Sequence, residues 1–186
     1  WSAAANFLVA GSIFGSAEVL GLDPKSLQAD LEIIDILVNA GAAVSQVEDG
    51  SVCVRKAPLE AFEVDLNHAP DLFPIVSVLA AFCSGVSRIA GVGRLATKES
   101  NRAEAIVQML QAMGVDVSIE GDILAIAGEA LSSRILRGHL LHGGQFTARH
   151  DHRMVMALKV AQLGADSPVI IDDEDCVSKS FPGFKL

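Results

Sequence analysis

Asp71-Leu72-Phe73-Pro74-Ile75-Val76-Ser77-Val78-Leu79-Ala80-Ala81-Phe82-Cys83-Ser84 is the stretch on which the fold turns. Between its two ends only Ser77 is polar. A helix that is apolar on nearly every face has no side to offer water, so it belongs in the interior. Pro70 before it and Pro74 in its first turn fix its entry, and Gly85 closes it. The flanking segments read differently. Residues 86–92 are strand-like, and a hairpin across Glu120-Gly121-Asp122 alternates polar and apolar residues, as in Val115-Asp116-Val117-Ser118. One face of such a sheet can meet water. Helices inside and sheets outside follow, an α/β class (α+β in some schemes).

Working outward, the same order of elements recurs. Residues 2–14 form an apolar helix closed by Gly15, followed by a strand at 17–22. Residues 26–40 form an amphipathic helix with Leu27, Leu31, Ile34 and Leu37 at helical spacing, and a hairpin joins 43–47 to 51–55 across Asp49-Gly50. The second copy runs from Asp71 through an amphipathic helix at 101–113, closed by Gly114. Its glycines lie about seventy positions after their counterparts, Gly15 at Gly85 and Gly41 at Gly114. A third, incomplete copy begins at Asp151 with an apolar helix to Leu163, then Gly164 and a strand at 169–171. The chain is thus one domain of β-α-β-α-β-β units, at about 1–58, 59–130 and 131–186. Packed about a pseudo-threefold axis, the three buried helices start at one end. Ser2, Asp71 and Asp151 are N-cap residue types at those starts, and three helix amino ends would make a locally positive face.

Composition bounds the function. Hydrophobic residues make up 51% and the mean hydropathy is +0.41, yet no apolar run reaches the roughly eighteen residues of a spanning helix. The apolar start lacks a basic leader, so no signal peptide is expected, and Trp1 falls inside a helical pattern, which reads as a fragment. A formal charge of -9 argues against nucleic acid or an anionic membrane as partner, but not against a small anion held by a few cations. Cys53, Cys83 and Cys176 are odd in number and widely spaced, which reads as reduced thiols in the cytoplasm.

Chemistry concentrates at Thr97-Lys98-Glu99-Ser100-Asn101-Arg102. Asn101 with Glu104 three residues on reads as a capping box, and Lys98, Glu99 and Arg102 crowd that helix amino end. Two cations and a carboxylate there can hold a phosphate or carboxylate and move a proton. By spacing alone, a capped surface helix with ion pairs is the favoured reading. Asp71 alone reads as a helix cap. His139, His142, His150 and His152 lack the spacing of a metal site, so no metal is expected. Asp172-Asp173-Glu174-Asp175 reads as a solvated turn.

Lys98-Glu99-Ser100-Asn101-Arg102, Asp151-His152-Arg153-Met154 and Lys179-Ser180-Phe181-Pro182-Gly183-Phe184, preceded by Asn67-His68-Ala69-Pro70-Asp71, together resemble the EPSP synthase (3-phosphoshikimate 1-carboxyvinyltransferase) family, in that family's order. The resemblance covers the whole chain but only the carboxy-terminal lobe of a two-lobed enzyme. It implies an inside-out α/β prism, no cofactor, and transfer of the enolpyruvyl group of phosphoenolpyruvate to the 5-hydroxyl of shikimate 3-phosphate. It implies Asp71 as the carboxylate that binds this hydroxyl and accepts its proton, and Glu99 as the acid at the phosphoenolpyruvate methylene carbon. Lys98 would contact shikimate 3-phosphate, Arg102, Arg153 and Lys179 would hold phosphoenolpyruvate, and His152 would neighbour Arg153. Asn101 stands where the family usually has aspartate. Glyphosate-type inhibitors would be further ligands of the full-length enzyme, and an absent amino-terminal lobe would complete the site. Two alternatives stand beside this one: a lobe like that of UDP-N-acetylglucosamine enolpyruvyltransferase, and a non-catalytic repeat domain whose charges are structural.

Overall fold

A computed structural model describes residues 1–46, 50–96 and 101–185, the side chain of Lys179 excepted. The first unit comprises α1 (Ser2–Phe14), β1 (Ser16–Val19), α2 (Ile33–Asn39), β2 (Ala43–Gln46) and β3 (Val52–Arg55). The second comprises β4 (Glu63–Asp65), α3 (Phe73–Ala81), β5 (Gly85–Ala90), α4 (Arg102–Ala112), β6 (Asp116–Glu120) and β7 (Ile123–Gly128). After α5 (Leu131–Arg137) come β8 (Gly144–Phe146), α6 (His152–Gln162) and β9 (Val169–Ile171). The sheets carry the repeat. Strand order β1-β3-β2 in one sheet reappears as β5-β7-β6 in the next, where β4 is added in parallel beside β5. The parallel pair β8-β9 repeats the β4-β5 crossover around α6.

The apolar helices are where their composition sends them. Every residue of α3 is buried, and α1 and α6 pack against it and against each other. The three run parallel, because their first turns share one cleft and their last turns meet at Gly164. A Cβ at Gly164 would lie 2.5 Å from the Phe82 ring and 3.0 Å from Phe14, so only glycine lets the end of α6 close on those rings. Phe14 and Phe82 meet edge to face at 5.2 Å. The sheets lie outside with one face inward: Val117 and Ile126 are opposite one another and buried, while Ser118 is exposed. The two-residue hairpin Gly121-Asp122 turns with Gly121 at φ 64, a left-handed angle that suits glycine.

Several element bounds differ from those read off the sequence. The helix expected over 26–40 is a 3-10 turn, Ala29–Glu32, running into α2, and Leu27 is fully exposed. Asp23 and Ser26 turn their side chains onto the backbone N–H groups of Lys25 and Gln28, which competes with helix hydrogen bonding. The strand expected at 86–92 ends at Ala90, because Gly91 turns left-handed and the Asp122 carboxylate takes the Gly91 and Gly93 N–H groups. The first hairpin forms, but its turn at 47–49 lies outside the described residues.

The caps also differ. Asp151 caps α6, accepting from the Arg153 N–H at 3.0 Å, and Asn101 caps α4 through the Glu104 N–H. Glu104 does not reach back to complete a capping box; its carboxylate binds Gln108 and Arg149. Neither Ser2 nor Asp71 is a cap. The chain enters α3 through a 3-10 turn, Pro70–Leu72, which moves the cap position to Leu72, and the Ser2 hydroxyl donates to Asp30 instead.

Arg134, on α5, is a structural residue with no sequence signature. It is buried and donates to the carbonyls of Ala81, Glu129 and His139 at 3.0–3.1 Å while lying over the Phe82 ring. It thus neutralises the negative end of α3. Burial pulls its pKa below the usual arginine value.

Candidate active site

At the end where α1, α3 and α6 begin, charged side chains replace apolar ones. Asp71 comes from the turn before α3, Arg102 from the start of α4, and Asp151 and Arg153 from the start of α6. Arg102 is wholly buried: its Nε donates to Asp151 Oδ2 at 2.7 Å and its Nη1 to Asp71 Oδ1 at 3.0 Å. Arg153 Nη2 lies 3.0 Å from the other Asp71 oxygen, so Asp71 bridges the two guanidinium groups. Asp151 is fully buried and splits its oxygens between Arg102 and the α6 cap. Ion pairs this dry are stable only when both partners are present and hydrogen-bonded.

The approach to Asp151 is specially built. Arg149 and His150 both have positive φ, 53 and 59, which costs energy in residues with a Cβ. Surrounding bonds hold the turn: Asp172 accepts from the Ala148 N–H at 2.8 Å, Thr147 from that of Arg149, and Arg149 itself pairs with Glu104 and Gln108. The Arg149 guanidinium keeps the exposed Glu104 carboxyl below its usual pKa.

Of the residues singled out in the sequence, Asp71, Arg102 and Arg153 come together directly. His152 opens α6 beside Arg153 and is half-buried. Lys98 and Glu99 lie outside the described residues. Lys179 ends a 3-10 segment, Glu174–Lys179, packed against α6, and its side chain is likewise undescribed. The chain just beyond it is pinned to α1, since Phe7, Phe181 and Phe184 form a cluster with ring centroids 5.1–5.9 Å apart. The other histidines scatter. His139 and His142 lie beside Arg134 and Asp166, and His150 faces Asp173 at 3.4 Å. Among the described residues no group of three His, Cys, Asp or Glu is arranged to hold a metal. The acidic run is occupied as well: Asp172 by Ala148, Asp173 by His150, and Glu174 by Lys159.

Two participants had no sequence signal that pointed to this end. Asp30, nearly buried in the turn before α2, accepts from Ser2 and lies 3.8 Å from Arg153 Nη1. Asn6 donates to the Ser2 carbonyl and touches Met156. The cleft here is shallow, bounded by Ser2, Asn6, Asp71, Pro74, Arg153 and Met156. A roomier, more apolar cavity of about 390 Å³ lies at the opposite helix ends, beside Ile13, Lys56 and Phe82. Among the described residues, Lys56 is the one charged residue in its lining.

The sequence profile described as EPSP synthase (3-phosphoshikimate 1-carboxyvinyltransferase) matches residues 1–185. The chain belongs to the EPSP synthase family. A 3-phosphoshikimate 1-carboxyvinyltransferase of Methanocorpusculum labreanum is 42% identical over 99% of the chain, and one of Aeropyrum pernix is 43% identical over the same share. EPSP synthase from Acinetobacter baumannii superposes over 97% of the chain with a TM-score of 0.79 at 25% identity. The chain spans only 41% of the length of those two relatives and 43% of the solved EPSP synthase chain. The α/β arrangement is therefore that of EPSP synthase. No helix of the described residues is long and apolar enough to cross a membrane.

Proposed function

We propose that this chain forms the carboxy-terminal lobe of an enzyme that transfers the enolpyruvyl group of phosphoenolpyruvate to the 5-hydroxyl of shikimate 3-phosphate. The observation that carries this reading is the convergence of Asp71, Arg102 and Arg153, from three separate segments, on the amino ends of the core helices. The 42% and 43% identical relatives with the shikimate name favour it over the UDP-amino-sugar enzyme, and a shared site favours it over a domain with scattered structural charges.

In the reaction, the methylene carbon of phosphoenolpyruvate gains a proton while the 5-hydroxyl loses one and its oxygen bonds to C2. The tetrahedral intermediate then loses phosphate and a methyl proton, giving the enolpyruvyl ether. Two acid–base groups and a set of cations suffice, with no cofactor or metal. In this reading Asp71 takes the hydroxyl proton, Glu99 handles the carbon proton, and His152, next to Arg153 at the start of α6, is the third catalytic candidate. Asp71 faces both arginines, so it meets a hydroxyl only as Arg153 turns toward the phosphoenolpyruvate anion. Arg102 is buried and acts from beneath, holding Asp71 and Asp151 in place and lending its charge to the floor of the site. Among the described groups, three carboxylates (Asp30, Asp71, Asp151) meet two guanidinium groups, so Lys98, Lys179 and the helix amino ends must supply the remaining positive charge. The three free thiols suit a reducing cytoplasmic setting.

The test uses the full-length enzyme. Glu99→Gln keeps shape and removes the ionisable group, so turnover should fall by about a hundredfold or more while phosphoenolpyruvate still binds. Arg153→Lys should raise KM for phosphoenolpyruvate, because a point charge cannot replace a bidentate fork. Near-normal kinetics in both variants would remove the assignment.

A further inference from the structure

Asp30 lies outside every motif, in a short turn before α2, yet it is one of the few buried charged residues, at 7% exposure. Two contacts define its setting. Its Oδ2 accepts from the Ser2 hydroxyl in the first turn of α1, and the same oxygen lies 3.8 Å from Arg153 Nη1. The other terminal nitrogen of Arg153 is taken by Asp71 at 3.0 Å. The guanidinium is therefore flanked by carboxylates from two different repeat units, and its side chain is 16% exposed. A long arginine side chain carries considerable rotamer freedom. A single partner would leave the plane of the fork free to swing about that contact. A second carboxylate, 3.8 Å from the other nitrogen, biases the plane by charge attraction, and Ser2 holds that carboxylate.

We propose that Asp30 is a positioning residue for Arg153: with Ser2 it holds the guanidinium in the orientation that receives the anionic substrate when the fork turns from Asp71. This rests on the function proposed above. Asp30 keeps attracting one nitrogen while Asp71 is released to act on the hydroxyl. The 3.8 Å separation suits this role, since a contact longer than a direct hydrogen bond steers the fork without competing strongly for it. No atom of Asp30 need touch substrate.

The experiment is a double-mutant cycle in the full-length enzyme, with phosphate release and direct detection of the enolpyruvyl product. Asp30→Asn keeps the shape and an acceptor for Ser2 but removes the charge. It should lower kcat/KM for phosphoenolpyruvate roughly ten- to a hundredfold, mostly through KM. In the Arg153→Lys background the same change should have little further effect, because no fork remains to be oriented. Ser2→Ala, a milder variant that leaves every charge in place, should shift KM in the same direction by less. Additive effects of Asp30→Asn and Arg153→Lys, or an unchanged KM in both Asp30→Asn and Ser2→Ala, would overturn the role of Asp30 while the enzyme remains active. Absence of enolpyruvyl product from the unsubstituted enzyme would instead overturn the underlying functional reading, and this proposal with it.

Discussion

Arg102 has no contact with solvent and yet keeps a charged head between Asp151 and Asp71. Removing Asp151 would strand that charge and uncap α6 together. Asp151→Ala should therefore cost about 3–5 kcal/mol by urea unfolding, far more than loss of the exposed Arg137–Glu129 pair, about 0–1 kcal/mol. Equal small losses in the two variants would mean that the buried network adds little. A second buried group makes a pH prediction. Burial pushes the Cys83 thiol up to about 12 from an ordinary 9.0, and Leu79 offers its carbonyl to the neutral S–H. Well below pH 9.0 the thiol is neutral in folded and unfolded chains alike. From there to about 12 only the unfolded chain ionises it, so stability falls as pH rises. The chain has no tyrosine to add to this limb. Cys83→Ala should flatten the decline measured between those limits; an unchanged slope would exclude the thiol as its source.

At the scale of elements, α3 is the member on which the others close. It touches α1, α6, α4 and the inner face of β7, and all nine of its residues are buried. Its burial was legible because an all-apolar stretch has only one stable location. Its entry was not, since Pro74 and the 3-10 turn before it displaced the cap from Asp71. Leu79→Ala should open a cavity in the fully buried core, at a cost of about 2–5 kcal/mol. Leu136→Ala on the outer face of α5, where the side chain is 88% exposed, should change stability by less than about 0.5 kcal/mol. Thermal denaturation of the two variants side by side gives the comparison. The helix expected at 26–40 failed for a local reason: the Asp23 and Ser26 side chains capture backbone groups that the helix would need.

For the whole molecule, three parallel helices in a sheet-lined shell account for stability, while the site is a shallow face at one end. The 186-residue chain should fold cooperatively by itself, because the core helices find their partners within it. It should not turn over. Enolpyruvyl transfer requires both substrates to be gripped and shielded from water, and here the cleft beside Arg153 is too small to enclose them. Sulfate or phosphate should bind weakly beside Arg153, and a coupled phosphate-release assay on the purified chain should read background. Measurable turnover would mean that this chain alone completes the site.

What the sequence determined by itself is whatever has a local or periodic cause. Apolar runs placed the helices inside, alternation placed the sheets outside, recurrent glycines marked the repeat, and the order of four short motifs pointed to the family. The tertiary structure decided which charges face one another. Arg102 pairs with Asp71 and Asp151 across 31 and 49 residues, and Asp30 reaches Arg153 from another repeat unit. Such pairing has no period and no required spacing. It follows only from where three helix ends meet, and that point in space exists once the apolar faces have packed.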